Sequence, residues 1–236
     1  MAGGFYIPDD EFGNVVVFLR RDMRSITARW RPEGLHINAP MRMPQKNIKD
    51  FIDSNRTKIR DLKPLTLSYY FGQKIFCFQH IVTITTHQGK KSQIGYGDNN
   101  GDLYISLHPD TNLSSPNITR TISACLTRLM ADKAESILIP FAVQVASELG
   151  VMPKEFVIGR GMRKLGHCTT KHVIQLSYNI MFFPEELVRY IICHELAHLT
   201  EMNHSADFHA LCNLYCHGRE KSLEKALKHF SWPIQR

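Results

Sequence analysis

The chain has 236 residues, of which 43% are hydrophobic, an ordinary content for a globular protein that buries a sizeable core. This composition excludes a disordered chain, and no apolar run approaches the roughly 18 residues that a membrane span needs. The formal charge of +7 suits an acidic partner such as nucleic acid, although a solvated basic surface explains the scattered Lys and Arg residues equally well.

The N-terminal segment and the cysteines both favour a cytoplasmic protein. Residues 1–21 carry acids where a signal peptide needs bases, and their apolar run "VVVFL" is too short for a signal sequence. The six cysteines form no CxxC pair, as expected of free thiols in a reducing compartment. Cys212 and Cys216 are one helical turn apart and could bind a metal, but buried thiols are the favoured interpretation.

The first half of the chain has mostly β patterns. Apolar or alternating runs at 14–20, 24–30 and 34–40 predict a small sheet. Apolar residues at helical spacing predict a helix over 45–62, and strands are expected over 67–71 and 75–86. Residues 94–107 hold a Gly and Asn cluster between two alternating runs, which predicts a β-hairpin.

The second half has mostly helical patterns. Ser115 and Pro116 predict the N-cap and first residue of a helical stretch that ends at Gly150, and Pro140 is expected to divide it in two. A strand over 155–160, a loop over 161–171 and a strand over 172–178 come next. Helices are predicted from Pro184, from Ser205 and over 221–230. We therefore predict an α+β fold with a β-rich N-terminal region, 1–112, and a catalytic domain, 113–236.

A metal-binding motif lies in the helix predicted from Pro184. Leu187, Ile191, His194 and His198 are spaced by four, three and four residues, so the two histidines continue the apolar stripe of that helix. Two imidazoles one turn apart can bind a single Zn²⁺, and this H-E-x-x-H spacing places Glu195 beside a water molecule at the metal. We expect Glu195 to accept a proton from that water as general base and to pass it to a leaving amine.

A catalytic zinc needs a third protein ligand, for which His204 is the favoured candidate. The chain must turn sharply after His198 for this to happen. Asn203 can adopt the left-handed conformation that ends a helix, and Ser205 can cap the next one. Glu201 and His209 are the competing candidates. Three imidazoles accept several divalent ions, so Zn²⁺ is the predicted cofactor, with Mn²⁺ and Ni²⁺ left open.

Other residues near the motif have possible supporting roles. Glu201, Asp207 and Asn203 are candidates to orient the ligand imidazoles, although solvated or capping roles are common for such residues. The strand 172–178 alternates in the manner of an edge strand and could pair with an extended peptide. Tyr178 could stabilise an oxyanion, in competition with simple packing.

The stretch "HELAHLTEMNHSADF" resembles the motif of the YgjP-like family of metal-dependent hydrolases. The upstream segment "KLGHCTTKHVIQLSYNIMFFPEELVRYII" and the opening "FLRRDMRSITARWRPEGLHINAP" are similar to that family as well. The resemblance implies a zincin-like metallopeptidase domain behind a β-rich N-terminal part, with similarity to the SprT-like proteases associated with DNA-protein crosslinks. It also implies His194, His198 and His204 as zinc ligands and Glu195 as general base.

The chain departs from the family pattern in one segment. The usual Arg-Trp-Gly-Ser-Cys reads Lys164, Leu165, Gly166, His167, Cys168 here, so the Trp and the Ser are replaced. Their contribution to the cleft is therefore open. His167 is either a polar group near the metal or a solvent-facing loop residue.

The favoured function is a zinc-dependent peptidase that acts on an intracellular polypeptide. A metal-dependent nuclease is the first alternative, because the YbeY-like endoribonucleases use three histidines at the same spacing and a basic protein suits RNA. That family has Gly where this chain has Glu195. A noncatalytic module, in which zinc only stabilises the C-terminal helices or the protein binds nucleic acid, is the second. A purely structural site would not require Glu195.

Overall fold

The computed structural model describes residues 4–31, 33–62, 67–160 and 164–235, and the chain divides into two units, Met1–Thr66 and Leu67–Arg236. The boundary predicted between 112 and 113 falls inside the second unit, so the division into a β-rich region and a catalytic domain stays a prediction. Strands come first and helices dominate later, which confirms the α+β class. None of the helices in these ranges combines the length and the apolar character that crossing a bilayer requires.

The first unit is a sheet with helices on one face. Its strands are β1 (Gly4–Asp9), β2 (Gly13–Arg20), β3 (Thr27–Arg31) and β4 (Gly34–Pro40), in the order β1-β2-β4-β3. The β2-β4 pair is parallel and the other two pairs are antiparallel. The predicted helix 45–62 is divided at Asn55 into α1 (Gln45–Ser54) and α2 (Arg56–Asp61), whose isoleucines pack on alternate strand residues such as Val15, Val17 and Ile37.

The second unit begins with a sheet of the same topology. Its strands are β5 (Lys74–Cys77), β6 (His80–Thr86), β7 (Gly95–Asn99) and β8 (Asp102–Leu107), in the order β5-β6-β8-β7. The predicted hairpin is confirmed, with Asn100 and Gly101 both at positive φ in its turn. The strand predicted over 67–71 is wrong. Tyr69 turns inward there and donates a hydrogen bond to the Pro233 carbonyl, so this segment is anchored by a side chain instead of a strand ladder.

A single long helix, α3 (Pro116–Leu149), follows this sheet. Ser115 is its N-cap and Gly150, at φ 66°, its C-cap, as the sequence predicts. The predicted division at Pro140 is wrong, because the helix runs through it. Pro140 and Ser136 are both exposed, so the Ser136 carbonyl that loses its amide donor faces water.

The remaining elements include the helix that carries His194 and the segments packed around it. Strands β9 (Glu155–Gly159), β10 (Gly166–Cys168) and β11 (Val173–Ser177) form a sheet in the order β10-β11-β9. Since β11 is central, the edge position predicted for it is wrong. The loop predicted over 161–171 contains β10, and residues 161–163 lie outside the described residues. A 3-10 helix (Tyr178–Phe182) then leads into α4 (Glu185–Ala197), α5 (Ala206–Tyr215) and α6 (Glu220–Lys228), and α4 packs against β10, α3, α5 and α6.

Candidate metal centre

The end of α4 places two histidines one turn apart. His194 lies in the last turn of α4, and His198 is its C-cap. Their rings lie 5.0 Å apart between centroids. The positions follow from helical spacing alone, since residues four apart lie above one another on the same face.

The chain turns back after α4 and brings in His204. The turn begins earlier than expected, because α4 ends at Ala197, and the Glu201 amide donates to the Ala197 carbonyl. Asn203 is not among the described residues with positive φ, so the left-handed corner predicted there is wrong. Ser205 is the N-cap of α5 as predicted, and its hydroxyl accepts a hydrogen bond from the Phe208 amide.

The three imidazoles converge. The Nε2 atoms of His194 and His204 are 3.1 Å apart, and one ring nitrogen from each of the three histidines lies within 4.8 Å of the others. Two nitrogens bound to one zinc ion at 2.0–2.1 Å and at the tetrahedral angle lie about 3.3 Å apart. The separation of His194 and His204 therefore fits a shared ion.

Phe208 and the main chain hold the rings in place. Phe208 is fully buried, and its ring stacks on that of His198 with centroids 4.4 Å apart. It also meets His194 and His204 edge-on. His198 Nδ1 lies 2.9 Å from the carbonyl oxygen of Glu201, so this nitrogen donates and Nε2 keeps its lone pair for a metal.

Burial keeps two of the imidazoles neutral. It lowers the pKa of His194 to about 4, with further lowering by the neighbouring histidines. Burial also lowers the pKa of His198, although its bond to the Glu201 carbonyl opposes this. Neutral imidazoles are the form that binds metal ions, so the donor set suits a divalent cation of the zinc type.

Glu195 lies beside the triad, against strand β10. Its side chain is 6% exposed, and its carboxylate accepts a hydrogen bond from the Cys168 amide. Burial raises the pKa of Glu195 to about 7, against the opposing effects of that amide and of Lys164. A divalent cation nearby would favour the ionised form.

Gly166 makes room for this carboxylate. A Cβ built on Gly166 would lie 2.4 Å from Glu195 Oε1 and 2.6 Å from its Cγ, well inside van der Waals contact. The glycine is therefore required by the close approach of Glu195 and not by its own backbone, which does not have positive φ. This role was missed in the sequence, where the only available signal was the Gly-x-Cys pattern shared with the YgjP-like family.

Other candidates do not join the triad. His209 Nδ1 lies 2.7 Å from Glu220 Oε1, which is buried at the start of α6, and its ring centroid is 6.3 Å from that of His204. Within the described part of the chain, no side chain of Asn203, Glu201 or Asp207 bonds a triad nitrogen, so the orienting group of His198 is a backbone carbonyl. Tyr178 lines a cavity with residues of α3 instead.

The cysteines and His167 complete the surroundings. Cys193, Cys212 and Cys216 are buried free thiols, as favoured from the sequence. Among the described residues, the His triad is the group whose ligand atoms lie close enough to hold a metal ion. His167 is an exposed strand residue of β10, and it alternates with Gly166 and Cys168, the two residues of that strand next to Glu195.

A family model matches most of the chain. The YgjP-like metallopeptidase domain matches residues 24–230, a span that includes the triad and Glu195. No curated protein and no solved structure matches the chain.

Proposed function

We propose that the chain is a zinc-dependent peptidase that acts on an intracellular polypeptide. The premise is that the chain belongs to the YgjP-like metallopeptidase family and is thus a metal-dependent hydrolase. In this proposal His194, His198 and His204 hold one Zn²⁺ and Glu195 is the general base. The observation that carries it is the convergence of three ring nitrogens within 4.8 Å beside a buried carboxylate.

The chemistry divides between the ion and the chain. A zinc ion held by three neutral imidazoles lowers the pKa of water towards 7 and polarises a carbonyl oxygen. The Glu195 carboxylate accepts the proton of the attacking water and delivers it to the leaving amine nitrogen. The Cys168 amide holds that carboxylate, and the absence of a side chain at Gly166 leaves it room.

The edge of β10 supports a polypeptide as substrate. The Ser177 amide bonds the Leu165 carbonyl and the Thr169 amide bonds the Val173 carbonyl, so the alternate residue, Gly166, turns its own amide and carbonyl away from β11. An extended peptide that adds to this edge would lie beside Glu195. The strand-addition role predicted for residues 172–178 thus passes to β10.

The test is Glu195→Gln, which keeps the shape of the side chain and removes the base. We expect zinc content at wild-type stoichiometry and loss of casein cleavage by at least about 100-fold. Glu185→Gln, an exposed carboxylate on the first turn of α4, is the matched control and should cleave at the wild-type rate.

Three outcomes would overturn the proposal. Equal cleavage by wild type and Glu195→Gln would remove the base. Cleavage of RNA, but not of casein, by zinc-loaded wild type would favour the nuclease alternative, and bound zinc without turnover of either would leave a structural metal.

A further inference from the structure

The first sheet has an open face opposite α1 and α2. The register aligns Tyr6, Val16, His36 and Arg29 across the four strands, and all four alternate with core residues such as Ile7, Val17 and Ile37. Tyr6 is 66% exposed and Arg29 is exposed. This row of side chains therefore points away from the helices.

The neighbouring rows extend the same surface. Phe18 lies one row along, and its ring is 5.6 Å from that of His36. Gly4, opposite Phe18, leaves space for this ring, since a Cβ there would lie 3.0 Å from it. Arg20 and Arg31 lie on the outer rows and are exposed. The open face therefore combines aromatic rings with guanidinium groups.

The charge of this face is one-sided. Among the described residues, Arg20, Arg29 and Arg31 form no ion pair within 4 Å, although Arg20 donates to the Asn38 side chain. Asp9, the carboxylate within these strands, turns to the helical side and binds Arg56. Glu33, in the turn before β4, contacts His36 at 3.2 Å. The guanidinium groups of these three arginines are therefore available to bind an anionic partner.

The sheet topology does not by itself produce this pattern. The second sheet, with the same strand order, has no arginine in its strands, and its open face carries Lys74, Thr83 and Tyr104 along one row. The second open face also carries aromatic rings, Tyr104 and the 70% exposed Phe76, so the arginines are what distinguishes the first sheet. The combination of both groups on the first sheet argues for a ligand that needs both.

We propose that the open face of β1 to β4 binds single-stranded nucleic acid. Flat rings on a sheet offer stacking surfaces for unpaired bases, while arginines neutralise phosphates. Successive rows are about 7 Å apart along the strands, so Tyr6 and Phe18 can each accept a base. A duplex hides its base faces and would use only the arginines. This inference does not rest on the proposed peptidase activity.

The experiment measures binding of the full-length Glu195→Gln chain to a fluorescein-labelled oligothymidylate of about 15 nucleotides by anisotropy. We expect Tyr6→Ala to weaken binding roughly 5- to 100-fold. Tyr70→Ala is the matched control, because Tyr70 is 64% exposed in the second unit, and it should leave binding unchanged.

The arginines are tested by the salt dependence of binding. The double change of Arg29 and Arg31 to Gln should reduce the slope of log affinity against log salt by about 1.4, from two lost phosphate contacts. The change of Lys46 and Lys49 to Gln, on exposed positions of α1, removes the same charge and should leave the slope nearly unaltered.

Three results would overturn the proposal. One is an equal loss in the Tyr6 and Tyr70 variants. Another is an affinity for duplex equal to that for the single strand and unchanged by Tyr6→Ala. The third is binding to phosphatidylserine vesicles through these residues without binding to the oligonucleotide, which would assign the face to a membrane surface.

Discussion

Replacing Gly166 by Ala tests whether the position of Glu195 matters for catalysis. The added Cβ would lie 2.4 Å from Oε1, 2.6 Å from Cγ and 2.7 Å from Cδ of Glu195. These three nearest atoms all belong to Glu195, so no histidine of the triad is among the closest contacts of the added Cβ. The backbone conformation of Gly166 is open to alanine, since its φ is not positive.

The size of the effect follows from the displacement. Ordinary contacts begin at 3.4 Å, so the carboxylate must retreat by about 1 Å to relieve the shortest contact. A displacement of that size costs about 100-fold in rate, equivalent to about 2.7 kcal/mol in the activation barrier. Zinc content should stay at the wild-type level.

The assay is the initial rate of cleavage of casein or a fluorogenic peptide, with zinc measured on the same samples. Gly97→Ala is the control, because a Cβ in that strand would come no closer than 3.3 Å, to the flexible end of Tyr104. Thermal unfolding supplies an independent check. The loss of stability caused by Gly166→Ala should disappear when Glu195 is also replaced by Ala, since the clash has then been removed.

Cleavage within about twofold of wild type by zinc-loaded Gly166→Ala would refute this reasoning, since a base displaced by about 1 Å cannot remain fully effective. Loss of stability that persists in the Glu195→Ala background would show that Gly166 is required for another reason.

The remaining predictions concern the metal and the first unit. His204→Ala should weaken zinc affinity by more than about 100-fold in a competition assay with a chelator. His209→Ala loses only a bond to Glu220 and should change the affinity little. The reverse order of effects would reassign the third ligand. The Arg56 guanidinium and the amides of Phe12 and Glu11 hold the pKa of Asp9 below its usual range. The stability that this carboxylate contributes is therefore fully present above its ordinary pKa near 4 and is lost as the pH falls through the lowered pKa. Urea unfolding should therefore show Asp9→Asn to be destabilising near pH 7 and progressively less so below about pH 4, and an equal loss at both would contradict the assignment.

Features set by neighbouring residues were predictable. Ser115 with Gly150, Ser205 and the Asn100-Gly101 turn mark their elements because caps and tight turns depend on a few adjacent residues. The failures at Pro140 and at 67–71 share one cause. The exposure of Pro140 to solvent and the hydrogen-bond partners of Tyr69 depend on how the whole chain folds, and local sequence patterns do not indicate them.

The edge strand of the site was not predictable either. The alternation of residues 172–178 favours an edge strand, yet β11 pairs on both sides, while the short β10 in a Gly-containing loop forms the edge beside Glu195. Alternation reports which faces are buried and not how many neighbours a strand has. The same limit hid the contact between Gly166 and Glu195, which are distant in the chain.

By itself the sequence determined the α+β class, the family resemblance and the spacing that places His194, Glu195 and His198 on one turn of helix, because helical periodicity is a local property of the backbone. Only the tertiary structure decided that the chain leaves α4 at Ala197 and returns His204 to within 3.1 Å of His194, and that Glu195 is buried against Gly166. It also decided which face of the first sheet stays open. These features depend on packing between segments far apart in the chain, where burial and register are fixed jointly by many contacts and not by any one stretch of residues.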